Sequence, residues 1–355
     1  MIDFRYHIVS LISVFLALAV GIALGAGPLK ETIGDTLTGQ VEALRAEKEG
    51  LRTQLDETGG DLAAADAFVS ASGERLLAGA LTDRRVALVL LDEVPEEQVT
   101  ALTERLAQAG ASVSATATVN AAWTDPALAT YRRTLAGTLV SYLDEPPAAD
   151  AGTEAELAEA LVAGLVGADS ATPDTLAENA SSLLDVLAEG DRALVTFTQD
   201  VTQAADAVVV VSGTVPEAGD ATPTAEATPV TSEPRLALVR AAQRLSEGVV
   251  VAGASRAGDD LVAAVRADDD LTGTVSTVAD ATSVTGQVSV PLALASGIGD
   301  RPGHYGYGDD LAALPPAVQL APVDRTPGVP DAGAGAGDVP DAEVPGDGEQ
   351  PGGEG

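Results

Sequence analysis

Few residues of this chain have the chemistry for catalysis or metal binding. The 355 residues include no cysteine, two histidines and one methionine. The lack of cysteine excludes disulfides, thiolate nucleophiles, iron–sulfur clusters and cysteine-based zinc or copper sites. His304 lies in the glycine- and tyrosine-rich stretch 297–308 and is the candidate metal ligand, since imidazole binds transition metals. The alternative is a glycine-rich turn that closes the domain, with His304 and Tyr305 packed against a sheet.

A second candidate for chemistry is the stretch 253–258, which follows an apolar run and precedes a predicted helix. A nucleophile elbow has this placement, but its spacing is GxSxG, whereas this stretch reads GxSxxG. A hydrolase would also need a histidine base for Ser255. We therefore expect no enzymatic activity and no catalytic residue. We interpret the stretch as a turn in which Ser255 or Asp259 caps the next helix.

Acidic residues dominate the charge of the chain, because 54 aspartates and glutamates against 19 lysines and arginines give a formal charge of −35. This charge repels the phosphate backbone and excludes nucleic acid as a partner. Asp92 and Glu93 follow the first predicted strand, at the end where open α/β sheets bind ligands. No glycine-rich phosphate loop accompanies them, so we interpret them as a strand-end turn. The run 268–270 is interpreted as a solvated helix end, since it lacks an EF-hand pattern.

The N-terminal stretch 8–27 contains no charged residue. Its length of about 20 residues is what an α-helix needs to cross a membrane. It predicts a single-pass anchor within residues 1–30 that contacts membrane lipid. A cleaved signal peptide is the alternative, because small residues surround Leu24. Arg5 and the α-amine put positive charge before the helix, which predicts a cytoplasmic N-terminus and an extracytoplasmic body. The choice between inner and outer membrane stays open.

Two patterns predict that the chain forms a homo-oligomer, with a dimer favoured. On the apolar helix, small residues that allow close helix packing recur every four positions at Ser13, Ala17, Gly21 and Gly25. A coiled coil is predicted over 35–62, with alternating spacings of four and three at Leu37, Val41, Leu44, Lys48, Leu51 and Leu55. Gly59 and Gly60 are expected to interrupt it. The alternative is an amphipathic helix packed on its own globular domain.

The remaining chain predicts an α/β domain over 74–315. Short apolar runs such as 86–91 and 248–252 alternate with helical patterns, which indicates an open, mostly parallel sheet with helices on both faces. The stretch 216–234, rich in proline, threonine and acidic residues, is predicted to be a disordered insertion. Residues 322–355 are predicted to be a disordered acidic tail.

Two segments resemble one family. The opening MIDFRYHIVSLISVFLALAVGIALGAGPL and the late segment GQ…PLALASG…GHYGYG are similar to the actinobacterial MctB family of copper transport and copper homeostasis proteins. The family motif contains Gly303, His304, Tyr305 and Gly306. The resemblance implies a membrane-associated envelope protein that helps to lower cellular copper. Because the chain offers few side chains that copper prefers, we expect it to act through envelope protein partners. No cofactor is predicted, and copper is the ion that the resemblance suggests. The alternative is a scaffolding envelope protein without a direct metal role.

Overall fold

The computed structural model describes residues 4–26, 28–148, 150–213, 232–254, 261–308 and 310–327. The chain divides into two units, Met1–Val69 and Ser70–Gly355. The first unit is helical. It contains α1, Phe4–Ala26, and most of α2, Pro28–Leu77, whose last turns belong to the second unit.

Helix α2 runs without interruption through Gly59 and Gly60, so the two glycines do not break the helix, and their interruption of the coiled coil stays a prediction. Each glycine costs a helix about 1 kcal/mol relative to alanine, but most of the surrounding residues are alanine, leucine, glutamate and other strong helix formers. The helix also extends beyond both ends of the predicted coiled-coil range 35–62.

The second unit is built on a seven-stranded sheet of order β3-β2-β1-β4-β5-β6-β7. Strand β3 is antiparallel to its neighbour and all other pairs are parallel, which confirms the open, mostly parallel sheet. The strands are β1 Arg85–Leu91, β2 Ser112–Val119, β3 Val195–Phe197, β4 Ala207–Ser212, β5 Val249–Gly253, β6 Ser276–Val278 and β7 His304–Tyr305.

Helices cover both faces of this sheet, as predicted. The helices of the unit are α3 Glu96–Gln108, α4 Ala129–Leu139, α5 Thr153–Val166, α6 Glu178–Ala188, α7 Glu233–Leu245, α8 Leu261–Ala267 and α9 Val284–Ile298. Short 3₁₀ turns lie at Ala121–Trp123, Pro126–Leu128 and Val140–Tyr142. Helices α4 to α8 share one hydrophobic core with the sheet, whereas α3 and α9 pack against each other on the opposite face.

The two faces follow from the alternation of side chains along each strand. In β1, Val89 and Leu91 belong to the core under α4 to α8, so Leu88 and Leu90 point to the face of α3 and α9. All four residues are buried. A strand buried on both faces needs a continuous apolar sequence. This is why the apolar run 86–91 alone predicts the strand.

Residues 321–327 lie against the end of the sheet where the parallel strands begin. Arg325 pairs with Asp206 at 2.7 Å and donates a hydrogen bond to the carbonyl of Asp83 at 2.8 Å. Arg84 donates to the carbonyl of Ala321 at 3.1 Å and pairs with Glu247 at 2.9 Å. The prediction of a disordered tail is therefore wrong for 322–327, because arginine pairs hold that segment. Residues 328–355 lie outside the described residues.

The predicted insertion has a corrected C-terminal boundary. Helix α7 begins at Glu233 and has Pro234 in its first turn, where the missing N–H of proline removes no intrahelical bond. These two residues are therefore helical rather than disordered. Ser232 is described as well and directly precedes the helix. Residues 216–231 of the insertion lie outside the described residues, and their disorder stays a prediction.

Candidate metal site and membrane segment

Helix α1 carries its apolar side chains outward. Within Phe4–Gly25 its mean hydropathy reaches 2.6 over an 18-residue window, and none of that window is buried within the chain. Side chains such as Phe15 and Leu16 are 63% and 65% exposed. Exposure of this much apolar surface to water is unfavourable by roughly 25 cal/mol per Å², so the helix requires an apolar environment. By length and composition it is the one membrane-spanning candidate among the described helices.

The small residues of the predicted dimerisation stripe lie on this exposed helix. Apart from the backbone of the helix itself, no atom lies within 4 Å of the position that a Cβ atom would take at Gly21 or Gly25. The hydroxyl of Ser13 donates to the carbonyl of Val9 at 2.7 Å, so it stays within its own helix. Ala17 is exposed as well. The stripe is therefore open to a second helix.

The apolar heptad positions of α2 are also exposed. The exposed fractions are 55% for Leu37, 41% for Val41, 63% for Leu44, 60% for Leu51 and 74% for Leu55. Lys48 occupies the remaining position of the series and is exposed too. We call these six residues the seam. In an isolated chain the seam leaves five large apolar side chains in contact with water.

His304 is placed by strand β7 at the edge of the sheet, next to β6. Its Nε2 lies 3.1 Å from the carbonyl oxygen of Thr272, and its Nδ1 lies 2.9 Å from the hydroxyl of Thr277. Because a carbonyl only accepts, Nε2–H is the donor, and Nδ1 of the neutral ring accepts from Thr277. Both ring nitrogens are therefore occupied, and metal binding would require breaking one of these bonds.

The pKa of His304 is lowered from its ordinary value. Burial has the largest effect, because it disfavours the charged ring, and the positive charge of Arg266 acts in the same direction. The hydrogen bond to the Thr272 carbonyl opposes both. The folded state thus prefers the neutral imidazole, the protonation state in which Nδ1 accepts from Thr277.

The lowered pKa predicts a pH dependence of folding stability. The unfolded chain, with a histidine pKa near about 6.5, binds more protons than the folded chain below that pH. The contribution of His304 is thus fully present above about pH 6.5 and is lost as the pH falls towards the folded pKa. We expect the melting temperature of the wild type to fall more steeply than that of His304→Gln between about pH 7 and pH 5. Parallel curves would contradict this, and His7→Gln, in the other unit, is the control.

The other residues of the GHYG motif have structural contacts. Tyr305 is 3% exposed, and its hydroxyl lies 3.5 Å from that of Ser296 on α9. A side chain at Gly303 would overlap the Tyr305 ring, and Gly306 has a φ of +146°, which disfavours other residues. The motif therefore packs β7 against α9. This agrees with the alternative in which His304 and Tyr305 pack against the sheet.

The donor set near His304 does not suit copper. Copper(I) prefers thiolate and thioether sulfur, and copper(II) prefers several imidazoles. The groups within hydrogen-bonding distance of the ring are instead a threonine carbonyl and two threonine hydroxyls. Across the described residues, no group of three or more His, Cys, Asp or Glu side chains could hold a metal ion. His304 as a metal ligand therefore stays a prediction without structural support.

The carboxyl ends of β1 and β4 form the other candidate site. The strand order reverses direction there, since β1 leads to β2 on one side and β4 to β5 on the other, and open α/β sheets bind ligands at such switch points. Asp92 pairs with Arg235 of α7 at 2.5 Å. Asp92 Oδ2 and the Ser212 hydroxyl are buried without a hydrogen-bond partner in the described part of the chain. The ion pair, 143 residues apart in sequence, could not be predicted from local patterns.

Two further sequence interpretations have different outcomes. Ser255 and Asp259 lie outside the described residues, so their capping role stays a prediction. In the acidic run 268–270, Asp269 and Asp270 are exposed, as expected, whereas Asp268 pairs with Arg240 at 2.7 Å and accepts from the backbone N–H groups of Asp270 and Leu271. These bonds, together with the Arg240 charge, lower the pKa of Asp268 against the opposing effect of burial.

Comparison with known proteins decides the family. Residues 1–316 match the model of the family described as copper transport outer membrane protein, MctB. The chain belongs to the MctB family. It is 30% identical over 316 residues to proteins named copper transporter MctB from Mycobacterium bovis and from two strains of Mycobacterium tuberculosis. The alignment covers 87% of this chain and 97% of each relative, which confirms the resemblance.

The extent of the MctB match agrees with the described structure. It contains α1, α2, the complete sheet and Ala312, which bonds to β7. It ends before Arg325 and the acidic tail. MctB membership and the exposed apolar surface of α1 together support association with a membrane. The family is described as one of copper transport proteins.

Proposed function

We propose that this chain is a membrane-anchored, non-enzymatic envelope protein that takes part in copper transport or copper ion homeostasis as a homodimer. The observation that carries the proposal is the MctB match, which extends from the apolar helix through the whole sheet. Relatives that align over 97% of their length are named copper transporters. The match therefore includes the apolar helix, α2 and the α/β domain together, and not only one of these parts.

The proposed topology is a single pass through α1, with the N-terminus in the cytoplasm and the α/β domain outside it. Helix α1 supports this topology by its length and exposure. Arg5 supports it because cytoplasmic flanks carry the excess of positive charge. The negative charge of the chain, −35 in total, would favour solubility of the part that faces water. The membrane itself, inner or outer, is left unassigned.

The proposed dimer is parallel and uses the small-residue stripe of α1 and the seam of α2. Two exposed surfaces in consecutive helices support it, because pairing would cover both along one axis. In a parallel pair, Glu47 of one chain would lie beside Arg52 of the other. Lys48 at the centre of the seam would weaken the pair but restrict its register.

A non-enzymatic role is supported by the hydrogen bonds of His304. Its ring nitrogens are held by threonines, so the residue is available neither as a general base nor as a free ligand. The same observation favours the second candidate, a scaffolding protein with no direct metal role. The two candidates differ in whether loss of the protein changes copper tolerance.

Copper tolerance provides the test. We expect deletion of the gene to lower the copper concentration that stops growth, and the wild-type gene to restore it. The variant His304→Gln should restore tolerance too, because the proposal gives the ring a structural role. Unchanged tolerance in the deletion strain would reject the copper function and leave the scaffolding one. Failure of His304→Gln, with normal protein levels in the membrane, would show that the imidazole itself takes part.

A further inference from the structure

The two edges of the sheet differ in how they are protected. At the β7 edge, Ala312 donates to the carbonyl of His304 at 2.9 Å and accepts from Gly306 at 3.0 Å, so the chain covers this edge itself. At the other edge lies β3, which has no further strand beyond it in the described part of the sheet. An uncovered edge presents unpaired backbone groups that can pair with another chain.

The hydrogen-bond pattern shows which backbone groups of β3 point outward. Thr198 donates to the carbonyl of Thr116, and the carbonyl of Leu194 accepts from Asn120. In an antiparallel pair, residues alternate between bonding to the partner strand and pointing away from it. Since residues 194 and 198 bond to β2, Phe197 points its N–H and C=O away from it. Phe197 is half-buried, so these groups lie near the surface.

A groove of about 560 Å³ runs beside this edge, between α6 and β3. Its apolar lining comes from both elements and from the residues after β3: Leu184, Ala188, Val195, Phe197 and Val201. Its charged lining residues are Asp185 and Asp200, and no lysine or arginine lines it. An edge strand next to a helix, with apolar positions between them, is the arrangement used for strand addition by peptides.

We propose that this groove binds an extended, basic peptide segment of another protein, which adds to the sheet as a strand next to β3. The charge of the groove selects the occupant, because Asp185 and Asp200 attract lysine and arginine. The residues 214–231 and 328–355 of this chain contain acidic residues and no basic ones, so they are poor occupants. A second copy that paired through its own β3 would bring the Asp185 and Asp200 carboxylates of both chains together, and these like charges would repel. The proposal does not depend on the copper function.

The test uses a fluorescent seven-residue peptide, Arg-Thr-Val-Thr-Val-Thr-Arg with blocked ends, and the full chain in detergent. We expect saturable binding by fluorescence anisotropy. The double variant Asp185→Lys/Asp200→Lys should weaken it about tenfold or more, since two attractive charges become repulsive. Glu104→Lys/Glu97→Lys on α3, which changes the net charge equally on the other face, is the matched control and should bind as the wild type does.

Two further probes separate strand addition from simple charge attraction. A peptide with N-methyl groups on alternate amides keeps its arginines but cannot form the backbone ladder, and we expect it not to bind. Peptide binding should also slow amide hydrogen exchange at Phe197. No saturable binding by the wild type, equal binding of the N-methylated peptide, or equal loss in the control variant would each overturn the proposal.

Discussion

The variant Leu44→Asp/Leu51→Asp is expected to abolish association between two copies of the chain. Both leucines are more than half exposed and occupy the same heptad position of the seam. Burial of a leucine contributes about 1.5–3 kcal/mol, and a dimer buries four of them at these positions. Since 1.4 kcal/mol is about a tenfold change in affinity, association should weaken by several orders of magnitude.

Crosslinking through lysine measures this association. Lys30 and Lys48 are the only lysines, and in a parallel dimer in register the two Lys48 side chains face each other. A short amine-reactive reagent should therefore join two wild-type chains in membranes, and Lys48→Arg should reduce the product. The control Ala46→Asp/Thr53→Asp adds the same charge on the opposite side of α2 and should still crosslink. If Leu44→Asp/Leu51→Asp crosslinks as efficiently as the wild type, the seam is not the interface.

The second large effect is expected from Gly286→Ala at the start of α9. A side chain at Gly286 would overlap the carbonyl oxygen of Asp280 and lie 2.8 Å from Cα of Ala281. These are backbone atoms, so neither can move aside as a flexible side chain would. The N–H of Gly286 also donates to the capping hydroxyl of Ser283 at 3.1 Å, which fixes the position of the first turn. Overpacking of this kind costs about 1–3 kcal/mol or more.

The measurement is thermal unfolding of the full chain in detergent, followed by circular dichroism. Gly137→Ala provides a control with the same chemical change, because no atom lies within 4 Å of the new side chain. Gly137 lies on the exposed side of α4, so its replacement by alanine should stabilise the helix by about 0.5–1 kcal/mol. Destabilisation by Gly137→Ala, or none by Gly286→Ala, would contradict the packing described for these helices.

Much of the sheet could be predicted from the sequence, because its central strands are buried on both faces. The runs 86–91 and 248–252 are continuous apolar segments without a helical period, and they became β1 and β5. Helix α1 was equally visible, since an uncharged apolar stretch of that length is typical of a membrane-spanning helix. In these elements the local sequence alone determines the structure.

The elements that could not be predicted depend on distant contacts. Strand β7 has two residues, too few to show any period, and it exists because Thr277 and Val278 of β6 pair with it. No helix was predicted over Val284–Ile298, where Pro291 argues against one, yet α9 forms with Pro291 inside it. For the candidate site, the sequence selected His304 as the candidate metal ligand, which stays a prediction. Its threonine partners lie 27 and 32 residues away in sequence. The hydrogen bonds to its ring nitrogens could therefore not be predicted from the local sequence.

The hydrogen bond between Arg325 and the Asp83 carbonyl has a consequence for the evolution and engineering of the α/β domain. Asp83 lies two residues before β1, the first strand of the sheet, and Arg325 lies two residues before the last described residue. A domain whose ends adjoin can be inserted into a surface turn of another protein, or circularly permuted, without stretching either chain. We therefore expect that the α/β domain, together with the last turns of α2 that belong to it, can be carried by a different stalk or anchor.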